Sequence, residues 1–368
     1  MNPKRQTPDI VIVVAIVLLL TIGVLMVYSA SAAFAYHKYD DAFYFAKRQF
    51  LFASLGVFLM FWIAKLDPEK FREWAKPGIV ICFILLLIVL IPGVGILRNG
   101  ARSWLGIGAF SIQPSEFMKL AMIMFLSRMF SSPDYDIKHF TRGFLPALLL
   151  LGLAFGLIMM QPDLGTGTVL MGAGIILIFA AGARKKHLAF FFLLGVVGFV
   201  MLILAAPYRI QRIVAFLNPW QDPLGAGYHL IQSLYAIGPG GLMGLGLGMS
   251  KQKHLYLPEP HTDFIFSILA EELGFLGAAT VILLFAVLVW RGIRVAMGVP
   301  NMFYSLVATG ITAMIIIQAV INIGVVSGVF PVTGITLPFL SYGGSSLTLT
   351  LAAVGILMNL SRFVRKSK

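Results

Sequence analysis

The chain contains few charged residues and only one cysteine. Only 12% of its 368 residues are charged, whereas charged residues make up roughly a quarter of an ordinary soluble domain. Its single cysteine, Cys82, lies inside an apolar run and has no second thiol to pair with. The scarcity of charge excludes an ordinary soluble domain, and the lone cysteine excludes disulfides and thiolate metal sites within this chain.

Long apolar runs take the place of the missing charge. Hydrophobic residues make up 59% of the chain, and a helix needs about 20 of them to cross a hydrocarbon core of about 30 Å. The first run is too long for the core of a signal peptide, which favours a retained helix. The pattern predicts an all-α, polytopic membrane protein that forms one domain over residues 1–368. The ten predicted transmembrane helices are 10–28, 50–64, 78–94, 117–129, 143–160, 165–183, 187–206, 264–290, 303–329 and 343–363.

The distribution of basic residues predicts the orientation. Segments on the side of both termini carry about twice as many Lys and Arg residues as those on the other side, and such residues favour the cytoplasmic face. The sequence therefore predicts a multi-pass protein of the cell membrane with both termini in the cytoplasm. The formal charge of +13 then lies largely beside anionic lipid headgroups, so it does not call for a nucleic-acid partner.

A long extracytoplasmic loop, about 207–263, is predicted between the seventh and eighth helices, and loops of that length are usually functional. Its first part places Arg209 and Arg212 three residues apart among apolar positions, which predicts a helix in the membrane interface. These arginines either anchor the helix to lipid headgroups or bind a substrate phosphate. The glycine-rich stretch 238–248 lacks the context of a nucleotide-binding loop, which favours a re-entrant hairpin that moves against the bundle.

Two acidic residues stand at predicted helix starts. Asp263 lies where the long loop ends and the eighth helix begins, so its carboxylate is predicted to lie at the membrane–water interface. His254 and His261 lie nearby, but their spacing fits no common metal site, so no metal site is predicted. Asp163 precedes the sixth helix and is interpreted either as its N-cap or as part of a functional cavity.

Few ionisable residues fall within or at the ends of predicted spans, where each is costly unless paired or hydrated. Glu116 and Lys119 are three residues apart on one helix face and can neutralise each other. They form either a purely structural ion pair or a pair that lines a polar cavity. Glu271 and Glu272 lie about two turns into the eighth span and are predicted to pair with polar groups of neighbouring helices.

Six short motifs carry a family resemblance. They are Asn-Gly-Ala-Arg-Ser-Trp at 99–104, Gln-Pro-Ser-Glu-Phe-Met-Lys at 113–119, Gln-Pro-Asp-Leu-Gly-Thr-Gly at 161–167, His-Thr-Asp-Phe-Ile-Phe at 261–266, Ala-Glu-Glu-Leu-Gly at 270–274 and Pro-Phe-Leu-Ser-Tyr-Gly-Gly at 338–344. Over almost its whole length the chain resembles the shape, elongation, division and sporulation family, the polytopic peptidoglycan polymerases that include FtsW and RodA. Stretches 235–241 and 322–344 most resemble its sporulation members.

The resemblance implies a reaction. Members of that family join lipid II units by transferring the glycan on undecaprenyl pyrophosphate to the 4-hydroxyl of the incoming disaccharide. An α-linked pyrophosphate becomes a β-1,4 bond, so a single inverting displacement suffices. The acceptor hydroxyl needs a base, and the departing pyrophosphate needs positive charge.

The resemblance also implies residue roles and partners. It places the family's essential aspartate on Asp263, as the base. Substrate-binding roles fall on Arg102, Lys119, Arg209 and Arg212 toward pyrophosphate, on Glu116 to orient Lys119, and on Asp163 to shape the cavity. No cofactor is evident, although a divalent cation could add charge. The expected partners are lipid II, the undecaprenyl-pyrophosphate-linked glycan, membrane lipids and a class B penicillin-binding protein that crosslinks the strands.

Two other classes of function stay open. A lipid II flippase would use intramembrane ionisable residues as a transport path, but Asp263 lies at the surface and the hydropathy shows no clear inverted repeat. A non-catalytic scaffold that recruits wall enzymes leaves Asp263 unexplained.

Overall fold

The computed structural model describes residues 7–98, 100–107, 110–204, 207–254 and 256–364, and these are mostly helical. A single π-helical turn, Phe140–Phe144, leads directly into α5. The α-helices are α1 (Ile10–Tyr39), α2 (Tyr44–Ile63), α3 (Pro68–Ile88), α4 (Pro114–Phe130), α5 (Leu145–Met159), α6 (Leu164–Ala180), α7 (Lys185–Leu204), α8 (Pro207–Leu217), α9 (Tyr228–Ile237), α10 (Ile265–Gly298), α11 (Met302–Val326) and α12 (Gly344–Ser361).

Short polar side chains cap several of these helices, which explains where they begin. Asp9 accepts a hydrogen bond from Val11 N at the start of α1, and Asn301 accepts one from Phe303 N at the start of α11. Asp163 does the same for Thr166 N at the start of α6, as predicted. Each cap satisfies an amide that has no partner within its own helix.

Six helices of the described chain are long and apolar enough to cross a membrane: α1, α2, the continuous helix Phe140–Met159, α10, α11 and α12. The prediction of a polytopic, mostly helical membrane protein is therefore supported by these helices. The prediction of ten spans stays a prediction for the remaining helices, of which α6 is apolar but shorter.

Long-range hydrogen bonds define the two ends of the bundle. At one end, Asp9 N donates to Ser361 Oγ, and Asn359 donates to the carbonyl groups that end α2. At the other end, Ser29 of α1 contacts Glu272 near the start of α10. We call this second end the Asp263 end, because the segment that carries Asp263 leads into α10 there.

A small antiparallel sheet lies between α3 and α4. The prediction of an all-α fold did not include it. Its strands are β1 (Ile96–Arg98), β2 (Ala101–Ile107) and β3 (Phe110–Ile112), in the order β1-β2-β3. Strands β1 and β3 have three residues each, which is too few to show alternation in the sequence, and the pairing of the sheet depends on backbone hydrogen bonds across tight connections.

The long segment between α7 and α10 contains α8, α9 and a glycine-rich stretch that packs against a break in α10. Gly274 has φ 64° and ψ −163°, so the helical hydrogen-bond pattern is interrupted there. The amides of Leu245 and Gly246 donate to the carbonyl groups of Glu271 and Glu272 at 2.9 and 3.0 Å. The glycine stretch thereby satisfies carbonyl groups that the break would leave unpaired.

Replacing Gly244 by Ala is expected to separate the glycine stretch from α10. An added Cβ would lie 2.2 Å from the carbonyl oxygen of Glu272, and that oxygen belongs to the backbone, so it cannot move aside easily. Gly248→Ala is the matched control, because Gly248 has a similar φ of 82° against 79° but nothing within 4 Å of the added atom. Thermal unfolding in detergent should show a clearly lower midpoint for Gly244→Ala. Equal losses in the two variants would mean that backbone strain, and not this contact, sets the effect.

Candidate active site

The segment that carries Asp263 is held by hydrogen bonds to three consecutive carbonyl groups. Asn322 Nδ2 on α11 donates to Asp263 O at 2.8 Å, and Ser341 Oγ donates to Thr262 O at 2.6 Å. The amide of Tyr342 donates to His261 O at 2.8 Å. The Asp263 carboxylate makes no hydrogen bond to any described residue, so its backbone is fixed while its oxygens stay available.

The surroundings of this carboxylate favour its protonated form. Burial, together with the negative charges of Glu259 and Asp163, raises the pKa of Asp263 to about 7, and burial is the largest of these causes. A base works best when its pKa lies close to the working pH. The geometry thus provides a half-buried carboxyl group that exchanges a proton near neutrality.

Asp163 caps α6, which is one of its two predicted roles, and it also contacts the start of α4. Its Oδ1 accepts the cap hydrogen bond from Thr166 N at 3.0 Å, while Oδ2 accepts hydrogen bonds from Gln113 Nε2 at 2.8 Å and Ser115 Oγ at 3.4 Å. Burial raises the pKa of Asp163, whereas the hydrogen bonds with Thr166 lower it. The residue joins the start of α6 to the start of α4.

Glu116 and Lys119 form a buried ion pair, as their spacing predicted. Their charged atoms are 2.8 Å apart, and their side chains are only 8% and 3% exposed. Lys119 Nζ also donates to Gln318 Oε1 on α11 at 2.9 Å, and Ser346 Oγ of α12 donates to Glu116 Oε2 at 3.0 Å. The pair therefore connects α4 to two neighbouring helices, which is more than a local contact along one helix.

These contacts join three of the predicted site residues in one polar cluster at the Asp263 end. We define the polar cluster as Gln113, Ser115, Glu116, Lys119, Asp163, Gln318 and Ser346. Asp263 lies beside it, since Asp163 contributes to its electrostatic environment and α11 contacts both.

Of the three predicted arginines, only Arg102 has a side chain that the structure describes, and it is not part of this cluster. The stem of Arg102 on β2 lies over Gly95, and its guanidinium makes no hydrogen bond to any described residue. Arg209 and Arg212 lie on α8, but their side chains are outside the part of the chain that the structure describes. Among the predicted cations whose side chains the structure describes, Lys119 belongs to the cluster and Arg102 does not.

Sequence reasoning missed the two amide side chains of α11. Gln318 and Asn322 lie one turn apart on an otherwise apolar helix, and both are buried. A signal was available, because polar side chains inside a membrane helix need hydrogen-bond partners. An amide, however, carries no charge that would single it out in an apolar stretch of sequence.

Glu271 and Glu272 form a second polar group, mostly with the long loop. Glu272 pairs with Lys253 at 3.0 Å and accepts a hydrogen bond from Ser29 of α1 at 2.7 Å. Glu271 accepts one from Ser250 Oγ at 2.6 Å. The predicted pairing with a neighbouring helix is confirmed for Glu272, because Ser29 belongs to α1. The other partners, Ser250 and Lys253, belong to the loop that follows the glycine stretch.

The histidines of the long loop show no arrangement typical of a metal centre. His261 is buried against Phe45 and Tyr342, and burial lowers its pKa to about 4, so its ring is neutral near pH 7. Within the described residues, no group of three or more His, Cys, Asp or Glu side chains is placed to hold a metal ion.

Comparison with known proteins identifies the family. The sequence profile of the cell cycle proteins of the FtsW, RodA and SpoVE type matches residues 10–366. This chain belongs to the FtsW/RodA/SpoVE family. Stage V sporulation protein E of Bacillus subtilis is 62% identical over 365 residues, which are 99% of this chain and 100% of that protein. A protein of Geobacter metallireducens named probable peptidoglycan glycosyltransferase FtsW is 43% identical over 353 residues, covering 96% of this chain and 94% of the relative.

Two solved structures share this fold. A chain from a study of how a peptidoglycan synthase complex coordinates polymerization and crosslinking has 32% identity and a TM-score of 0.79, covering 96% of this chain and 98% of that one. The rod shape determining protein RodA of Thermus thermophilus has 28% identity and a TM-score of 0.72, with 98% of each chain covered. The membrane bundle described above is therefore the fold of the family.

Proposed function

We propose that this protein is a peptidoglycan glycosyltransferase that polymerises lipid II, with Asp263 as the general base. The observation that carries the proposal is a half-buried carboxyl group with a pKa of about 7, held on a fixed backbone. The names of the relatives support the reaction class. The resemblance to sporulation members favours wall synthesis during sporulation, alongside division and elongation as the other processes of the family.

The chemistry is a single displacement at the anomeric carbon of the growing glycan. The acceptor 4-hydroxyl of lipid II attacks that carbon while Asp263 takes its proton, and the new β-1,4 bond forms. The bond to undecaprenyl pyrophosphate breaks, and the pyrophosphate leaves with the bonding electrons. Pyrophosphate leaves readily once its charge is neutralised, so the reaction depends more on a base and cations than on a general acid.

The polar cluster supplies part of the substrate-binding role in this proposal. Lys119 is a cation of the cluster, but Glu116 already compensates most of its charge. Arg102, Arg209 and Arg212 are therefore proposed to contribute further positive charge toward the pyrophosphate, because a guanidinium matches phosphate oxygens well. A divalent cation would add to the same charge. Asp163 shapes the wall of the cavity through its contacts with α4.

The proposal includes an orientation. Ten spans, with both termini in the cytoplasm, put the Asp263 end on the outer face of the membrane, where lipid II displays its disaccharide. The lipid tails approach laterally between helices, because such long chains stay in the bilayer. A class B penicillin-binding protein is the proposed partner, in line with the crosslinking named for the synthase complex.

The rate of polymerisation is expected to increase as the pH rises. When the pH is below the Asp263 pKa of about 7, the carboxyl group keeps its proton and cannot accept another. Initial rates of lipid II polymerisation by the purified protein should therefore rise through about pH 7 and then level off. Stability should respond in the opposite direction. The folded pKa lies above the ordinary value of about 3.9, so this group costs stability as pH rises from about 4 to about 7.

The two responses together test the proposal. Thermal unfolding over the same pH series shows whether the rise in rate merely follows stability. A polymerisation rate that stays flat between about pH 6 and pH 8, or a purified protein with its partner that forms no polymer, would contradict the assignment of Asp263.

Lipid II transport is the second function that the sequence left open, and the geometry favours it less. The buried pairs Glu116–Lys119 and Glu272–Lys253 both lie at the Asp263 end of the bundle. A transport path would need polar groups along the length of the bundle as well. Movement of fluorescent lipid II across vesicles that contain the purified protein measures that alternative directly.

A further inference from the structure

We infer that Gln318 and Asn322 are positioning residues that together set the separation between the Lys119 ammonium group and the Asp263 carboxylate. The inference rests on the proposed function, because it gives these amides a role in the reaction that Asp263 performs. Neither residue is proposed to touch substrate, so both act through the groups that they hold.

Asn322 holds two segments on either side of the base. One hydrogen of its Nδ2 is donated to Asp263 O at 2.8 Å and the other to Ile335 O at 2.7 Å. The residue beside Ile335 is Gly334, where an added Cβ would lie 3.6 Å from Asp263 Oδ2. Asn322 therefore ties the backbone of Asp263 to the segment that borders its carboxylate.

Gln318 holds the same segment and the lysine. Its Nε2 donates to Thr336 O at 3.0 Å, while its Oε1 accepts a hydrogen bond from Lys119 Nζ at 2.9 Å. Because Gln318 and Asn322 are four residues apart, they lie on one face of α11, about one helical turn or about 6 Å along the axis from each other. The ammonium group and the base are thus attached to consecutive turns of one rigid helix.

Burial prevents water from replacing the hydrogen bonds of Gln318 and Asn322. Gln318 is 2% exposed and Asn322 is 1% exposed, so neither side chain can exchange its partners for bulk water, and an amide in such a place is costly unless it is bonded. Removing Asn322 takes its donor from the carbonyl groups of Asp263 and Ile335. Removing Gln318 takes a donor from Thr336 O and an acceptor from Lys119 Nζ, which keeps its ion pair with Glu116. Either change frees residues 335–336 to shift. A displacement of about 1 Å at a reacting group can cost about a hundredfold in rate.

Asn359 offers a matched control. It is also a fully buried amide of a membrane helix, and its Nδ2 donates to the carbonyl groups of Ile63, Ala64 and Leu66 at 3.0, 3.2 and 2.7 Å. These contacts lie at the opposite end of the bundle from Asp263. Asn359→Ala therefore removes a comparable set of buried hydrogen bonds without touching the proposed site.

The experiment compares Asn322→Ala, Gln318→Ala and Asn359→Ala in lipid II polymerisation, with rates expressed per folded protein. All three should lower the thermal midpoint. The first two should lower kcat about ten- to a hundredfold while KM changes less than about threefold, and their combination should be non-additive because both hold residues 335–336. If Asn322→Ala loses no more kcat than Asn359→Ala, the inference is wrong.

A readout that needs no polymerase activity separates this inference from the proposed function. Carbodiimide modifies protonated carboxyl groups, so labelling of Asp263 at a series of pH values, quantified by peptide mass spectrometry, reports its titration. We expect the midpoint to fall toward that of an ordinary carboxyl group in Asn322→Ala, where a loosened segment admits water, and to stay unchanged in Asn359→Ala. Equal midpoints in the two variants would overturn the inference, whereas a wild-type protein without polymerase activity would overturn only the proposed function.

A milder substitution covers the case in which Asn322→Ala does not fold. Asn322→Ser keeps one short donor that cannot reach both carbonyl groups, so it should give the same changes in kcat and labelling midpoint to a smaller extent. If Asn322→Ser also fails to fold, the residue is structural and the positioning role is excluded.

Discussion

Asp263→Asn should abolish polymer formation from lipid II, with a loss of about 10²- to 10⁴-fold in kcat, the usual contribution of a general base. Asparagine has nearly the same shape but accepts no proton at neutral pH. The fold should survive, because Asn322, Ser341 and Tyr342 hold carbonyl groups of the backbone and not the Asp263 side chain. Thermal unfolding and binding of the penicillin-binding partner should therefore match the wild-type protein.

Glu259→Gln is the control for a change of charge alone. Glu259 is exposed, and its negative charge raises the pKa of Asp263. Removing that charge should keep the polymerase active and move the rise in its pH profile slightly downward. An Asp263→Asn protein with near wild-type activity would remove Asp263 from the reaction, whatever the control does.

Lys119→Met should destabilise the protein by about 3–5 kcal/mol, the usual cost of leaving one member of a buried ion pair without its partner. Glu116 would then be an uncompensated buried carboxylate with Ser346 as its remaining hydrogen-bond partner. The double variant with Glu116→Gln removes both charges and should recover most of the lost stability. Thermal or denaturant unfolding in detergent measures both effects.

Activity of the stable double variant separates the two interpretations of the pair. We expect it to remain inactive, because Lys119 is proposed to contribute charge toward the pyrophosphate. Full activity in the double variant would mean that the pair serves only to join α4 to α11 and α12. A double variant as unstable as Lys119→Met would show that loss of the pairing does not explain the damage.

Much of the membrane architecture was predictable from local features of the sequence. Apolar runs predicted each of the six described helices that are long and apolar enough to cross a membrane, although the ends differ. Helix α1, for example, continues to Tyr39, where Asp40 ends it in a left-handed conformation. The small sheet and the break at Gly274 were not predictable in the same way. Both depend on backbone groups of separate segments that meet only after folding.

The residues of the candidate site also fall into those that the sequence reveals and those that only the fold reveals. Asp263, Glu116, Lys119 and Asp163 are evident from the sequence, because a charged group in or beside an apolar run is costly and must be explained. Their partners are not evident. Gln318 and Asn322 are separated from Lys119 and Asp263 by long stretches of chain, and no local pattern reports which carbonyl group a buried amide will meet.

The sequence by itself determined that this is a helical membrane protein of the FtsW/RodA/SpoVE family and which acidic residue lies at the end of a span, since hydropathy and charge are properties of each segment alone. Only the tertiary structure decided that Asp263 is held by α11, that its pKa lies near 7, and that Lys119 is attached one turn away. Burial and hydrogen bonding depend on which surfaces meet, and in this protein those surfaces come from helices far apart in the chain.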